Sequence, residues 1–162
     1  MNSEKENFLR TWENEFKITL KVLKAFPHER QNFKPHEISR SAKEIAKTIA
    51  GEEKAVVLGV KSGNMDFSVM ASVPEDIREL IEWYEKSHKE MVHEYNKLSE
   101  EDLNKTMKFT VAPKQTGDFR KIDLLWMILM DAIHHRGQFS VYLRMAGGKV
   151  PSIYGPTADE PW

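Results

Sequence analysis

The chain of 162 residues contains no cysteine. That absence excludes disulfides, thiolate metal ligands and a cysteine nucleophile, and it fits a reducing compartment, so we expect a cytoplasmic protein. No apolar run approaches the roughly 20 residues that a membrane-spanning helix needs. The charged start, residues 1–6, lacks the apolar stretch of a signal peptide. The sequence therefore predicts no membrane partner.

An excess of charge of one sign is also lacking. The formal net charge is -1, and the lysines are scattered among glutamates instead of forming a basic stripe. Nucleic-acid binding needs an electropositive patch, so we expect no nucleic-acid partner. A hydrophobic content of 40% and a charged content of 30% are those of an ordinary globular protein. The length suits a single domain over residues 1–162.

Apolar residues recur at helical spacing in four segments. A capping box at Ser41 and Glu44 opens the second segment, and Pro74 is expected inside the first turn of the third. The four predicted helices span about residues 9–23, 41–61, 74–98 and 119–145. Four long helices predict an all-α fold, a four-helix bundle with one or more long crossover connections.

Two segments lack helical periodicity. Met107, Phe109 and Val111 alternate with polar residues, which predicts either a short extended segment or a plain loop. Residues 148–162 contain prolines and glycines that cannot continue a helix, so they predict an irregular tail. We expect Ile153 and Tyr154 to hold this tail to the bundle.

A polar run interrupts the apolar surface of the last helix. Asp131 and His135 are four residues apart, so their side chains project from the same face one turn apart. Burying a carboxylate and an imidazole is costly unless they are paired or bind a metal, so the pair predicts either two metal ligands or a hydrogen-bonded structural pair. Gly137, inside the same helix, predicts a close approach by another element or a ligand.

Two further residues are interpreted from helical geometry alone. Arg136 lies about 100° round the helix from His135 and is expected to face a neighbouring helix or the rim of the site. His88 falls on the apolar face of the third helix, where a hydrogen-bonded core histidine is the expected role.

The run from Asp131 to Arg144, followed by residues 147 and 150–156, resembles the last helix and tail of the DinB/YfiT-like family. Residues 41–53 are similar to that family's second helix, and residues 33–37 are similar to the segment leading into it. The resemblance implies a four-helix bundle holding a divalent metal, often nickel or zinc, on three histidines. It further implies a metal-dependent hydrolase or thiol-dependent transferase acting on a small molecule, and a homodimer.

The sequence departs from the family's histidine pattern at two of three positions. Thr48 and Asp131 stand where the resemblance implies histidines, and only His135 matches. Glu52, one turn beyond Thr48, could complete a set of Glu52, Asp131 and His135, which would favour manganese or iron over zinc or nickel.

The alternative is a degenerate site in a diverged, non-catalytic bundle that binds a small ligand or a protein without metal. Under the enzymatic hypothesis, Gln138, Arg136 and His134 are candidates for residues that support the ligands or orient the substrate.

Overall fold

Four long helices and one hairpin make up most of the computed structural model, which describes residues 3–161. The predicted all-α bundle is confirmed, and within the described residues a short helix, two 3-10 helices and one hairpin join the four long helices. In chain order the elements are α1 (Glu4–Lys24), α2 (Ala42–Ser62), α3 (Ile77–Asn96), the short α4 (Glu100–Asn104), β1 (Thr106–Ala112), β2 (Gln115–Arg120) and α5 (Lys121–Met145).

The directions of the long helices follow from which ends share a core. Helix α1 packs against α3 and α5, and α2 packs against the same two helices. One apolar cluster joins Val22 and Leu143, near the C-terminal ends of α1 and α5, to Ile45 and Ile77, near the N-terminal ends of α2 and α3. Therefore α1 and α5 run one way, while α2 and α3 run the other.

This arrangement requires a crossover between α2 and α3, because two parallel neighbours cannot be joined by a short turn. Residues 63–76 supply it by returning along α2, with one 3-10 helix at Phe67–Ser72. The returning segment lies close to two glycines of α2, where a Cβ would overlap the sulfur atoms of Met65 at Gly59 and of Met70 at Gly51. The predicted long crossover connection therefore lies between α2 and α3.

Three predicted helix boundaries were wrong. Helix α1 begins at Glu4 and not near Leu9, because a capping box of Ser3 and Glu6 starts it earlier. Helix α3 begins at Ile77, because the side chain of Asp76 accepts from the amide of Arg78 and caps the helix, which leaves Pro74 outside it. Helix α5 begins at Lys121 and not near Phe119, because residues 115–120 form β2. The extended segment predicted around Phe109 is confirmed as β1.

His88 is a hydrogen-bonded core histidine, as predicted. Its Nδ1 lies 3.0 Å from Glu53 Oε1, and its ring stacks on Phe16 with centroids 3.6 Å apart. In the tail, Ile153 packs against the core, and the Tyr154 hydroxyl donates to Glu15 Oε2 at 2.7 Å. Among the described residues, no helix is both long and apolar enough to cross a membrane.

Candidate metal centre

Helices α2 and α5 bring together the three residues that the sequence proposed as metal ligands. One ligand atom each from Glu52, Asp131 and His135 lies within 4.8 Å of the other two. His135 is buried, with 11% of its side chain exposed, whereas Asp131 is 43% exposed. The group therefore lies at the edge of the α2–α5 seam, half open to solvent.

Gln138 lies beside Nδ1 of His135 and bears on which nitrogen of the ring carries the proton. The Gln138 amide nitrogen lies 2.9 Å from His134 Nε2, which leaves its carbonyl oxygen 3.1 Å from His135 Nδ1. With the amide in this orientation, its carbonyl oxygen accepts from Nδ1 of His135. In the neutral ring the lone pair then lies on Nε2, which is 3.2 Å from Asp131 Oδ2. Two electron-rich atoms thus face one another.

Glu52 adds a third electron-rich atom to the same place. Burial, followed by the hydrogen bond and the charge of Asp131, raises the pKa of Glu52 to about 7, and the charge of Arg40 opposes this rise. Glu52 Oε2 is buried and makes no hydrogen bond within the described part of the chain. A buried carboxylate oxygen without a partner is costly, so this group must gain either a proton or a cation.

The three residues fit a divalent metal. A cation between them would satisfy the lone pair of His135 Nε2, the Asp131 carboxylate and the orphaned oxygen of Glu52 at once. Without it, a proton must separate Asp131 from its neighbours. Two carboxylates and one imidazole form a harder donor set than three imidazoles, which suits manganese or iron.

Thr48 does not join the three ligands. Its hydroxyl donates to the Glu44 carbonyl at 3.1 Å and accepts from Arg40 Nη1 at 2.9 Å. Arg40 also places Nη2 3.4 Å from His135 Nδ1. Sequence reasoning missed Arg40, because it lies in the connection before α2, 95 residues from His135, and carries no periodic signal.

Arg136 faces a neighbouring helix, as expected, but the structure does not bring it to the metal ligands. It is 2% exposed, and its Nη1 donates to Glu15 Oε2 at 2.6 Å and to Thr19 Oγ1 at 3.2 Å. Its Nη2 donates to the Tyr154 hydroxyl at 2.5 Å. Arg136 therefore joins α5 to α1 and to the tail, because its position on the helix points it toward α1.

The other two residues singled out in the polar run are exposed. His134 is hydrogen-bonded to Gln138, and its ring lies beside that of His135 with centroids 5.4 Å apart. Gly137 was expected to mark a close approach by another element or a ligand, and no element approaches it: a Cβ there would meet no described atom within 4 Å. A mid-helix glycine lowers helix stability wherever it occurs, so its presence alone could not distinguish packing from open space.

Comparison with known proteins agrees with this fold. The model of the DinB family matches residues 1–161. The chain belongs to the DinB family. The uncharacterized protein YrdA of Bacillus subtilis strain 168 is 27% identical over 161 residues, covering 96% of this chain and 90% of YrdA. The family resemblance of the last helix and tail is thereby confirmed.

Two crystal structures of DinB-like proteins share the fold. YjoA from Bacillus subtilis has a TM-score of 0.72 at 23% identity, covering 91% of this chain and 97% of its own. A DinB-like protein from Bacillus cereus ATCC 10987 has a TM-score of 0.77 at 22% identity, covering 92% and 97%. At these identities the DinB-like structures establish the architecture alone.

Proposed function

We propose that this DinB-family chain is a metal-dependent hydrolase acting on a small molecule, with one divalent cation on Glu52, Asp131 and His135. The observation that carries the proposal is the convergence of three electron-rich atoms, one of them the unpartnered, buried Glu52 Oε2. A cation held there supplies Lewis-acid polarisation of a carbonyl group and of water. Manganese or iron suits the two carboxylates better than zinc or nickel does.

Each of the proposed ligand residues has a separate role in the site. His135 offers Nε2 to the cation when Gln138 Oε1 accepts from Nδ1, which lies 3.1 Å away. Asp131 and Glu52 supply the negative charge that attracts a cation, one from each of two packed helices. A rigid two-helix platform keeps the ligand atoms in place without depending on a mobile loop.

Hydrolysis is favoured over thiol-dependent transfer because the site is open. Asp131 is 43% exposed, and a hollow lined by Met127, Ile128 and Met130 lies beside it at the surface. Water therefore reaches the ligands freely, whereas transfer to a thiol acceptor requires that water be kept out of the reacting position.

The decisive experiment is metal titration of chain purified without an affinity tag and stripped with a chelator. We expect one manganese or ferrous ion per chain by calorimetry and elemental analysis, and loss of that binding in His135→Ala, Asp131→Asn and Glu52→Gln. His93→Ala is the matched control, because His93 is an exposed histidine on α3 away from the ligands.

Two outcomes would overturn the proposal. Absence of transition-metal uptake by the wild-type chain would favour the metal-free ligand-binding bundle instead. Equal loss of binding in His93→Ala would show that the bound metal belongs to scattered surface histidines and not to this site.

A further inference from the structure

Arg40 is a fixed cation at the edge of the metal ligands. Its Nη1 donates to Thr48 Oγ1 at 2.9 Å, and its backbone carbonyl accepts from the Tyr142 hydroxyl at 3.1 Å. Both ends of the residue are thus held, by α2 and by α5. The side chain is exposed but positioned, which reduces the entropy that it would lose on binding a ligand.

The guanidinium group of Arg40 retains donors for a ligand. Its described contacts are with a hydroxyl and an imidazole rather than with a carboxylate. Arg40 Nη2 lies 3.4 Å from His135 Nδ1, and even with both contacts made the guanidinium group keeps further N–H groups that have no described partner. A planar fork with free N–H groups matches the paired oxygens of a carboxylate or a phosphate.

The surroundings of Arg40 suit an oxyanion. Arg40, Ser39 and Gln138 line one surface hollow together with Tyr142, so a hydroxyl and an amide lie beside the guanidinium group. On the other side of Asp131, the hollow lined by Met127 and its neighbours is apolar. A small molecule lying across the metal ligands would meet a cation at one end and apolar surface at the other.

Local charge links oxyanion binding to the metal. Without a cation, Glu52 holds a proton up to about pH 7, and the remaining negative charge of Asp131 offsets the single positive charge of Arg40. A divalent cation neutralises the carboxylates and leaves the charge of Arg40 in excess. An oxyanion should therefore bind the metal-loaded chain more tightly than the metal-free chain, and the coupling must be reciprocal.

We infer that the substrate carries an oxyanion, a carboxylate or a phosphate, which Arg40 binds while the reacting group lies at the metal ligands. Arg40 is then the residue that determines substrate class. This inference rests on the proposed function, since it requires a cation on Glu52, Asp131 and His135.

The experiment uses manganese-loaded full-length chain and two separate probes, inorganic phosphate and acetate, in calorimetric titrations. We expect phosphate or acetate to bind the loaded chain more tightly than the metal-free chain. Arg40→Gln should weaken the binding about 10-fold or more, because charge-assisted hydrogen bonds to the guanidinium are lost. Manganese affinity should not fall, because Arg40 is not a ligand.

Two further variants test whether the effect belongs to the guanidinium group of Arg40. Arg40→Lys keeps the charge without the planar fork, so it should bind the probe with intermediate affinity. Arg10→Gln removes an exposed arginine on α1 that contacts Asn7, and it should bind like the wild type. The probe that binds more tightly identifies the oxyanion as a carboxylate or a phosphate.

The outcomes separate the two proposals. Manganese binding with equal probe affinity in wild type and Arg40→Gln, or with no probe binding at all, overturns the role of Arg40 and leaves the metal centre standing. Failure of the wild-type chain to bind manganese overturns the metal centre, and the substrate class falls with it. Circular dichroism of Arg40→Gln confirms that the variant is folded.

Discussion

Asp131 shows how one side chain changes the chemistry that a DinB-type scaffold can carry. Family resemblance implies a neutral histidine at this position, whereas a carboxylate adds a negative charge 3.2 Å from His135 Nε2. That charge attracts a cation more strongly and also raises the pKa of Glu52. At the scale of single residues, the charge and protonation of the three ligands therefore matter more for cation binding than the number of histidines does.

Gln138 is expected to control metal affinity without touching the metal. Replacing it in Gln138→Leu removes the acceptor that keeps the proton on Nδ1 of His135, so Nε2 is no longer held as a free donor atom. We expect manganese affinity to fall about 10-fold, the lower end of the range for residues that orient ligands. Gln138→Glu, which keeps an acceptor, should retain affinity; equal weakening in both variants would contradict the tautomer argument.

The pKa of Glu52 predicts how metal affinity depends on pH. Since its pKa is raised to about 7, the carboxyl is increasingly protonated below that pH and a metal must displace the proton. Affinity should rise with pH up to about 7 and then flatten. Any residual binding by Glu52→Gln should lack the part of this pH dependence that comes from the Glu52 carboxyl.

The same pKa makes a prediction for the metal-free chain. A carboxyl whose folded pKa exceeds its unfolded value of 4.5 contributes most stability below pH 4.5, and this is lost as pH rises through about 7. Urea denaturation in chelator should show that Glu52→Gln removes a fall in unfolding free energy between pH 5 and pH 8.

Glu44→Gln is the control for this measurement. Hydrogen bonds from Ser41 lower the pKa of Glu44, so its contribution is constant across that pH window. If Glu44→Gln changed the slope as much as Glu52→Gln did, the effect would not come from Glu52.

At the scale of elements, apolar periodicity predicted the four long helices because each buries one continuous stripe. The hairpin was only half predicted: β1 alternates buried and exposed residues at Met107, whereas β2 is exposed or half-buried along its length and has no pattern to detect. The start of α3 was misplaced for a different reason, because both Pro74 and Asp76 are helix-initiating residues and the cap formed at the second.

Two helical glycines with opposite surroundings test the described crossover. Gly137 faces open space, so Gly137→Ala should raise the unfolding free energy by about 0.5–1 kcal/mol through helix propensity. Gly51→Ala should lose that gain, because its Cβ would overlap Met70 of the crossover and would lie 3.1 Å from Val73 Cγ2. Urea denaturation of the two variants measures the difference.

A double variant tests whether overlap with Met70 is the reason that Gly51→Ala loses the gain in stability. In a Met70→Ala background the overlap is removed, so Gly51→Ala should recover the propensity gain. If both glycine variants were equally stabilised in the wild-type background, the crossover would not pack on α2 as described.

At the scale of the whole molecule, the ligands were predictable by two routes, helical spacing on α5 and the family resemblance on α2. The spacing of Asp131 and His135 is visible along α5, and Glu52 followed from its position one turn beyond Thr48. Arg40 could not be found, because its approach depends on how the connection before α2 folds back onto α5. The parallel run of α2 and α3 was equally hidden, since periodicity reports which face is buried and not the direction of the chain.

Arg136 joins helix α1 to the tail and should be important for stability. It is buried with Glu15 of α1 and reaches Tyr154 of the tail. Arg136→Met leaves the Glu15 carboxylate buried without its partner, so we expect a loss of about 3 kcal/mol in urea denaturation. Combining it with Glu15→Leu removes both charges, and much of the loss should be recovered.

Lys24→Met provides the comparison with a surface ion pair. Lys24 and Glu85 are 3.0 Å apart but about half exposed, so solvent and salt screen them and the loss should stay below about 1 kcal/mol. Equal losses in Arg136→Met and Lys24→Met would contradict the special position of Arg136. The prediction would also be contradicted if the Arg136→Met and Glu15→Leu double variant were as unstable as Arg136→Met alone. The predicted loss of stability comes from the unpaired charge of Glu15 and not from missing side-chain volume.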